Sequence, residues 1–412
     1  MAASIATNPP QPSKVPHPLR ESHFRLFWAG ATISLFGDQF YLVALPWVIL
    51  QLTGSAVAMG TVMMVAGIPR ALLMLLGGVV SDRFSSRKIM MTMASARTVF
   101  VAAIAVLLWF HVLHLWHLYL LAFAFGTADA FSYPAGSAYL PSLVKKEQLL
   151  AANSVVQSTA QITTIAAPAP AGLAIKAFGT ASAFLIDAVS FLFIIGALWK
   201  LPDPPLAAVS HEKKPSVWRS IREGLSHVYR DVPLRSFLIL AAVLNFCLAG
   251  PLVVGLAYLT KQRFGSPASF GIVISAVAAG GLAGSVVAGI WKPRRRGVVL
   301  LSGCGVLALC LGPIGLLHQL WAICGALAVM GISSGLVNIQ IISWIQQRVE
   351  VAMLGRVMSV LMFVSLGLVP ISMAVSGVLA QWSLKWMYLL GAFAMLLAVS
   401  AGAMQKPVRE IE

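Results

Sequence analysis

Five ionisable residues sit inside long apolar runs: Asp38, Arg70, Arg97, Asp129 and Asp187. A charge in hydrocarbon is costly, so such residues are paired or face a wet cavity, and they mark proton and substrate paths. The chemistry open to Asp38, Arg70 and Asp129 is proton uptake and release on a carboxyl, set against a guanidinium. Along a helix, Asp38 lies about 21 Å into its run, Arg70 about 18 Å before Asp82, and Asp129 about 21 Å before Leu143. All three depths fall near the middle of a bilayer. A coupling site and a neutralised packing network between helices both fit that depth. Arg70 is a candidate partner that would keep Asp38 charged. Arg97, close to Lys88 in sequence, is expected to snorkel to the nearer face. Asp187 has no evident partner and reads as structural.

Aromatic residues surround the acids. Phe36, Phe40 and Tyr41 flank Asp38, while Phe125, Phe131 and Tyr133 flank Asp129. They suit an apolar cavity with a few polar points. Asn245, Asn338 and Gln340 are further cavity candidates, and hydrogen bonding between helices explains them as well. His111, His114 and His117 read as an interfacial polar patch and not as a metal site. Cys247, Cys304, Cys310 and Cys324 lie in apolar stretches without a Cys-x-x-Cys pair, which argues against zinc or redox chemistry. No metal or cofactor is expected.

The elements that must hold these residues follow from composition. Hydrophobic residues make up 59% of the 412 and charged residues 10%, against about 25% charged in ordinary soluble domains. Lipid is the natural solvent for that surplus. With breaks set at turns, prolines and charges, twelve spans are predicted: 24–51, 56–80, 89–110, 116–140, 151–175 and 179–199, then 236–259, 268–291, 298–317, 320–344, 355–380 and 384–404. The split between the fifth and sixth rests on the short break Lys176–Gly179.

The formal charge of +16 does not indicate nucleic acid, because the basic residues sit in short loops between spans. One side of the predicted topology holds Lys14, Arg20, Arg25, Arg83, Arg87, Lys88, Lys145, Lys146, the central segment, the loop 292–296, Arg348, Arg356 and the C-terminal tail. The other holds only Lys176, Lys261, Arg263 and Lys385. The positive-inside rule makes the first side cytoplasmic, with both termini, and an even span count follows. The organisation is therefore a proline-rich disordered tail 1–20, an N-terminal half 21–199, a cytoplasmic linker 200–235 with a basic amphipathic run Ser216–Arg230, a C-terminal half 236–404 and a tail 405–412. The tail lacks the apolar core of a signal peptide. The linker is too short for a catalytic domain, and the chain lacks a Gly-x-x-x-x-Gly-Lys-Ser/Thr run, so neither enzyme chemistry nor ATP hydrolysis is expected.

The most informative local run is GGVVSDRFSSRK, Gly77 to Lys88. Glycines end an apolar helix, an acid follows, and a basic cluster turns the chain. This run resembles the loop between helices two and three of the major facilitator superfamily, with Gly78, Asp82, Arg83, Arg87 and Lys88 matching and Ser85–Ser86 standing where that family carries glycine. Residues Asn153 to Gly172 are similar to the fifth helix of its drug and siderophore exporters, placing Pro168, Pro170 and Gly172 in an antiport motif region from which several glycines are missing. AMLGRVMSV, Ala352 to Val360, is similar to the enterobactin-exporter and macrolide-efflux branch. Gly280 to Gly297 weakly echoes the first signature without its acid, as two related halves would.

The resemblance implies an all-α polytopic membrane protein with the major facilitator fold, twelve transmembrane helices in two six-helix halves. It also implies a cavity lined by helices one and four, where Asp38, Arg70 and Asp129 would meet. The expected function is proton-coupled export of hydrophobic or amphipathic small molecules, in a bacterial inner membrane, by a monomer, with lipid, substrate and protons as the partners. Siderophore export, uptake of a metabolite or lysolipid, and a non-transporting sensor or scaffold are the competing readings. The membrane acids argue against the scaffold.

Overall fold

The computed structural model describes residues 17–204, 222, 225–226, 228–291, 293 and 295–409, without the side chains of residues 75, 78, 79, 82, 351 and 352. The chain forms helices α1 (Ser22–Thr53), α2 (Ala56–Arg83), α3 (Ser86–Trp109), α4 (Leu115–Tyr139), α5 (Leu149–Ala166), α6 (Pro168–Phe178) and α7 (Thr180–Lys200). After the central segment come α8 (Val232–Gly250), α9 (Leu256–Phe264), α10 (Pro267–Ile290), α11 (Arg296–Ile314), α12 (Leu320–Arg348), α13 (Val351–Trp382) and α14 (Leu384–Met404), then a last turn α15 (Lys406–Arg409).

Local chemistry sets the ends. Gly54, at φ 65°, ends α1 in the left-handed region, and the Ser55 hydroxyl caps α2 by accepting from the Ala58 N–H at 3.2 Å. Ser85 caps α3 in the same way, accepting from Lys88 N–H at 3.3 Å. Asp231 caps α8 and also pairs with Arg348 at 2.9 Å. Each cap satisfies an N–H that the first turn leaves unpaired.

Ten helices among the described residues are long and apolar enough to cross a membrane, with α8 and α9 counted as one through a wide π turn, Pro251–Gly255. The run predicted as a span over 236–259 is thus longer, Val232–Phe264. The span predicted over 151–175 is interrupted. Pro168 cannot donate to the helical ladder, and α5 gives way to α6 at Ala167. The predicted break before α7 is present, with Gly179 at φ 82°.

The inner edges of both predicted tails are ordered. Pro18–Arg20 form a 3₁₀ turn, and α15 buries Val408 beside Gly297. Residues 1–16 and 410–412 lie outside the described set, as does most of the basic run 216–230. Within that run Val228 is buried, while Leu225 and Tyr229 are exposed.

Helix α1 packs chiefly on α7, α2 on α4, and α3 on both α4 and α7. In the second part α10 packs on α12, α11 on α12 and α14, and α8 on α13. The two groups meet through α2 on α13 and through α5 and α6 on α10. Small residues make these crossings. A methyl at Gly60 would lie 3.0 Å from the Gly377 Cα, one at Gly67 2.8 Å from Pro370 Cγ, and one at Gly172 2.9 Å from the Ala268 Cα. Such contacts let backbones approach where apolar burial drives nothing. Two hydrogen bonds join the groups at the same end of the molecule. The Ala56 N–H donates to Gln381 Oε1 at 2.7 Å, and the Lys261 ammonium donates to the Leu50 carbonyl at the end of α1.

Candidate functional site

Helix α1 reaches α7 closely because Gly30 and Gly37 share one face. A methyl at Gly30 would lie 2.9 Å from the Ala197 Cβ, and one at Gly37 2.9 Å from Asp187 Oδ1. The next residue, Asp38, points to α3, where it pairs with Arg97. Arg97 also approaches Asp129 of α4, Nη1 to Oδ1 at 3.8 Å, and Arg70 of α2 pairs with the other oxygen of Asp129 at 3.0 Å. Four helices thus contribute to one alternating chain of charge: Arg70, Asp129, Arg97, Asp38.

The environment of Arg97 is apolar on both faces. Its guanidinium lies 4.4 Å from the ring centroids of Phe125 and of Phe191, a geometry that favours a planar delocalised cation. Two expectations are corrected here. Arg97 does not snorkel: it is buried and is the shared counter-charge of the cluster. Arg70 does not serve Asp38, because Arg97 takes that carboxyl and leaves Arg70 to Asp129.

The cluster borders a cavity of about 230 Å³ between α1, α2, α4 and α13. Arg70 and Asp129 supply its charge, and Tyr41 and Phe125 part of its wall, with Met63, Leu366, Pro370 and Met373 opposite. Tyr41 stacks on Phe125 at 4.1 Å. The wall is mostly apolar with one half-exposed guanidinium, which suits an apolar molecule carrying few polar groups. Of the other candidates, Phe40 is buried against Phe36 at 5.5 Å and is absent from the cavity wall. Asn245 donates to the Ala241 carbonyl at 2.9 Å and to Ser365 at 3.4 Å. Gln340 is buried and donates to the Trp291 carbonyl at 3.3 Å, while Asn338 is exposed. Neither of these two lines the cavity.

The loop after α2 is a second organised region. Arg87 donates to the carbonyls of Leu198 and Trp199, at 2.6 and 3.0 Å, and so caps the C-terminal end of α7. It also pairs with Asp203 at 3.3 Å, and Ser85 donates to the same carboxylate at 2.8 Å. Tyr139 closes the arrangement by donating to the Pro202 carbonyl at 3.0 Å. The Ser85 hydrogen bond and the Arg87 charge hold the Asp203 carboxyl below its usual range. Sequence reading missed Asp203, which stands among prolines at the edge of the linker. Arg83 and Lys88 border a shallow groove on the same loop. Gly78 and Asp82 lie in the last turns of α2 with side-chain surroundings outside the described set.

In the fifth-helix region, Pro168 opens α6 and its carbonyl lies against Gly271, Gly172 lies against Pro267–Ala268, and Pro170 is exposed. Among the described residues no group of His, Cys, Asp and Glu has the makings of a metal site.

Comparison with known proteins agrees with this architecture. Residues 27–370 match the Major Facilitator Superfamily profile. The chain is 24% identical over 367 residues to macrolide efflux protein A of Streptococcus pyogenes, covering 87% of this chain and 89% of that protein. It is 28% identical over 358 residues to the multidrug efflux pump Tap of Mycobacterium bovis, covering 84% of each. Among solved structures, the nucleoside transporter NupG superposes with a TM-score of 0.76 at 14% identity, covering 92% of this chain and 98% of that one. A bacterial homologue of the iron transporter ferroportin in an inward-facing state gives 0.70 at 16%, covering 92% and 97%. Such likenesses speak to the fold. The chain belongs to the major facilitator superfamily, the non-catalytic membrane transporters that move small molecules by alternating access.

Proposed function

We propose that this protein is a proton-coupled exporter of hydrophobic or amphipathic small molecules. The observation that carries the reading is the juxtaposition of an apolar cavity with the chain of charge Arg70–Asp129–Arg97–Asp38. Carboxyls that share a counter-cation and border a binding cavity can exchange proton affinity for substrate affinity. The likeness to macrolide and multidrug efflux proteins supports outward movement of drug-like molecules.

In this reading α4 and the α5–α6 rod also cross the bilayer, giving twelve spans in two six-helix halves. Helix α4 adds Asp129 to polar residues such as His117, Thr127 and Ser132, and the α5–α6 rod is broken at Ala167, which makes both less apolar than the other ten. Both termini and the linker lie in the cytoplasm of a bacterial inner membrane. The end where Lys261 meets Leu50 and Gln381 meets Ala56 is then the outer one, and it is closed. The loop Gly78–Lys88 with Asp203 couples the positions of α2, α3 and α7 during exchange, and the Pro168–Gly172 region forms part of the outer seam against α10. The unit is a monomer.

The test is transport by purified protein in proteoliposomes, with radiolabelled erythromycin as a macrolide probe. An imposed pH gradient should drive its accumulation, and an ionophore that collapses the gradient should abolish it. Flux that is identical with and without the gradient would remove proton coupling. Absence of flux for erythromycin and for ethidium alike would remove the substrate class.

A further inference from the structure

Asp187 is a mid-span acid that the chain of charge does not use. It is 0% exposed, and neither carboxyl oxygen receives a hydrogen bond. The nearby Ser190 hydroxyl is committed to the Asp187 carbonyl at 2.7 Å. The neighbouring Arg97 Nε and Tyr41 hydroxyl are buried and unpartnered too. Four of the five such atoms among the described residues therefore belong to three residues grouped where α1, α3 and α7 meet. An ionised carboxylate without a donor is among the costliest groups to bury.

The charges that face Asp187 come from each neighbouring element. Helix α1 supplies Asp38 and Tyr41, α3 supplies Arg97, and α4, one layer further, Asp129. Helix α6 carries only Lys176, in its last turn. Two guanidiniums, Arg70 and Arg97, already balance two carboxylates, Asp38 and Asp129. A third carboxylate would leave the bundle one charge negative with no cation to meet it. A neutral acid balances the count.

We infer that Asp187 holds the transported proton in this conformation and that Arg97 is the counter-charge it competes for with Asp38. This rests on the proton-coupled reading above and assigns its carrier. Loss of the proton creates a carboxylate within electrostatic reach of Arg97, whose Nε–H is unpaired and more than 4 Å away in this conformation. The guanidinium then has reason to leave Asp38 and Asp129, which leaves Asp38 without a cation and Asp129, at the cavity wall, with Arg70 alone. Proton release and a change in the cavity's charge become one event. Tyr41, with one edge on the cavity and its hydroxyl beside Asp187, stands between the two.

The decisive measurement is infrared absorption of purified protein at neutral pH, where a protonated carboxyl has its own carbonyl band. Wild type should show that band, Asp187→Asn should lose it, and D38N, which frees Arg97 to meet Asp187, should weaken it. Asparagine matches the neutral acid in shape and charge, so D187N should fold. Should it not purify, D38N serves instead, and a band as strong there as in wild type removes the competition for Arg97. Absence of the band in wild type, or its persistence in D187N, overturns the assignment. Transport separates this from the reading it rests on. If wild-type erythromycin flux ignores the pH gradient, proton coupling fails while the infrared assignment stands. If wild type and D187N respond equally, coupling stands and Asp187 is not its carrier. The expected result is loss of the gradient response in D187N with downhill erythromycin flux retained.

Discussion

Replacing Arg97 with methionine removes the cation that two carboxylates share. Asp129 keeps Arg70 at 3.0 Å, but Asp38 is left with no cation in contact. Methionine still fills the space between Phe125 and Phe191, so the effect is electrostatic and not a cavity. Breaking a buried pair from one side costs about 3–5 kcal/mol, because the remaining charge is uncompensated. At about 2 °C per kcal/mol for large domains, melting should fall by about 6–10 °C. The double variant R97M/D38N leaves no orphan charge and should recover most of that loss. The assay is thermal unfolding in detergent at matched monodispersity. The reasoning fails if R97M melts with wild type. It fails equally if the double variant melts below the single.

Arg70→Ala should behave differently, because the Arg70 side chain is 55% exposed toward the cavity. Stability should change by no more than about 1 kcal/mol, while erythromycin flux in proteoliposomes falls sharply. Gln381→Ala removes the acceptor for the Ala56 N–H and should weaken the closed end by about 1 kcal/mol, seen as roughly a fivefold rise in thiol labelling of a cysteine placed at Leu45. Gly60→Val forces a branched side chain against Gly377, and the same labelling should then report an end that does not close. Asp203→Asn should destabilise the loop after α2. Since the Asp203 carboxyl is held below its usual range, the wild-type advantage is full at neutral pH and is lost only as pH falls through that lowered value. Melting of both proteins across an acid series checks this, and an advantage already gone near pH 5 would count against it.

Much of this architecture was legible because hydrocarbon imposes its own grammar: long apolar runs, basic loops, and glycines where helices cross. The depths of Asp38, Arg70 and Asp129 placed them at one level, and the structure brings all three into one cluster. What sequence could not resolve was rotation. Whether Asp38 meets Arg70 or Arg97 depends on which face of α1 turns to α3, and Gly30 and Gly37 decide that by docking α1 on α7. The depth of Arg97 is legible in the sequence. Nine residues from Lys88 is about 13 Å of helix rise, too far for a side chain to reach water. The interruption at Ala167 was signalled by Pro168. Asp203 carried no such signal, since its partners Ser85 and Arg87 lie far away in sequence.

The seam at the closed end is built from main chain. Gly60 meets the Met373 carbonyl, Gly377 that of Ala56, and Gly172 that of Pro267. A carbonyl cannot be trimmed by mutation, and a glycine has nothing to lose. Replacing bulky neighbours with smaller residues leaves these contacts untouched, whereas a single added methyl acts as a wedge. The steric demand along this seam is therefore one-directional: a smaller neighbour fits, and any side chain at these glycines must push backbone aside.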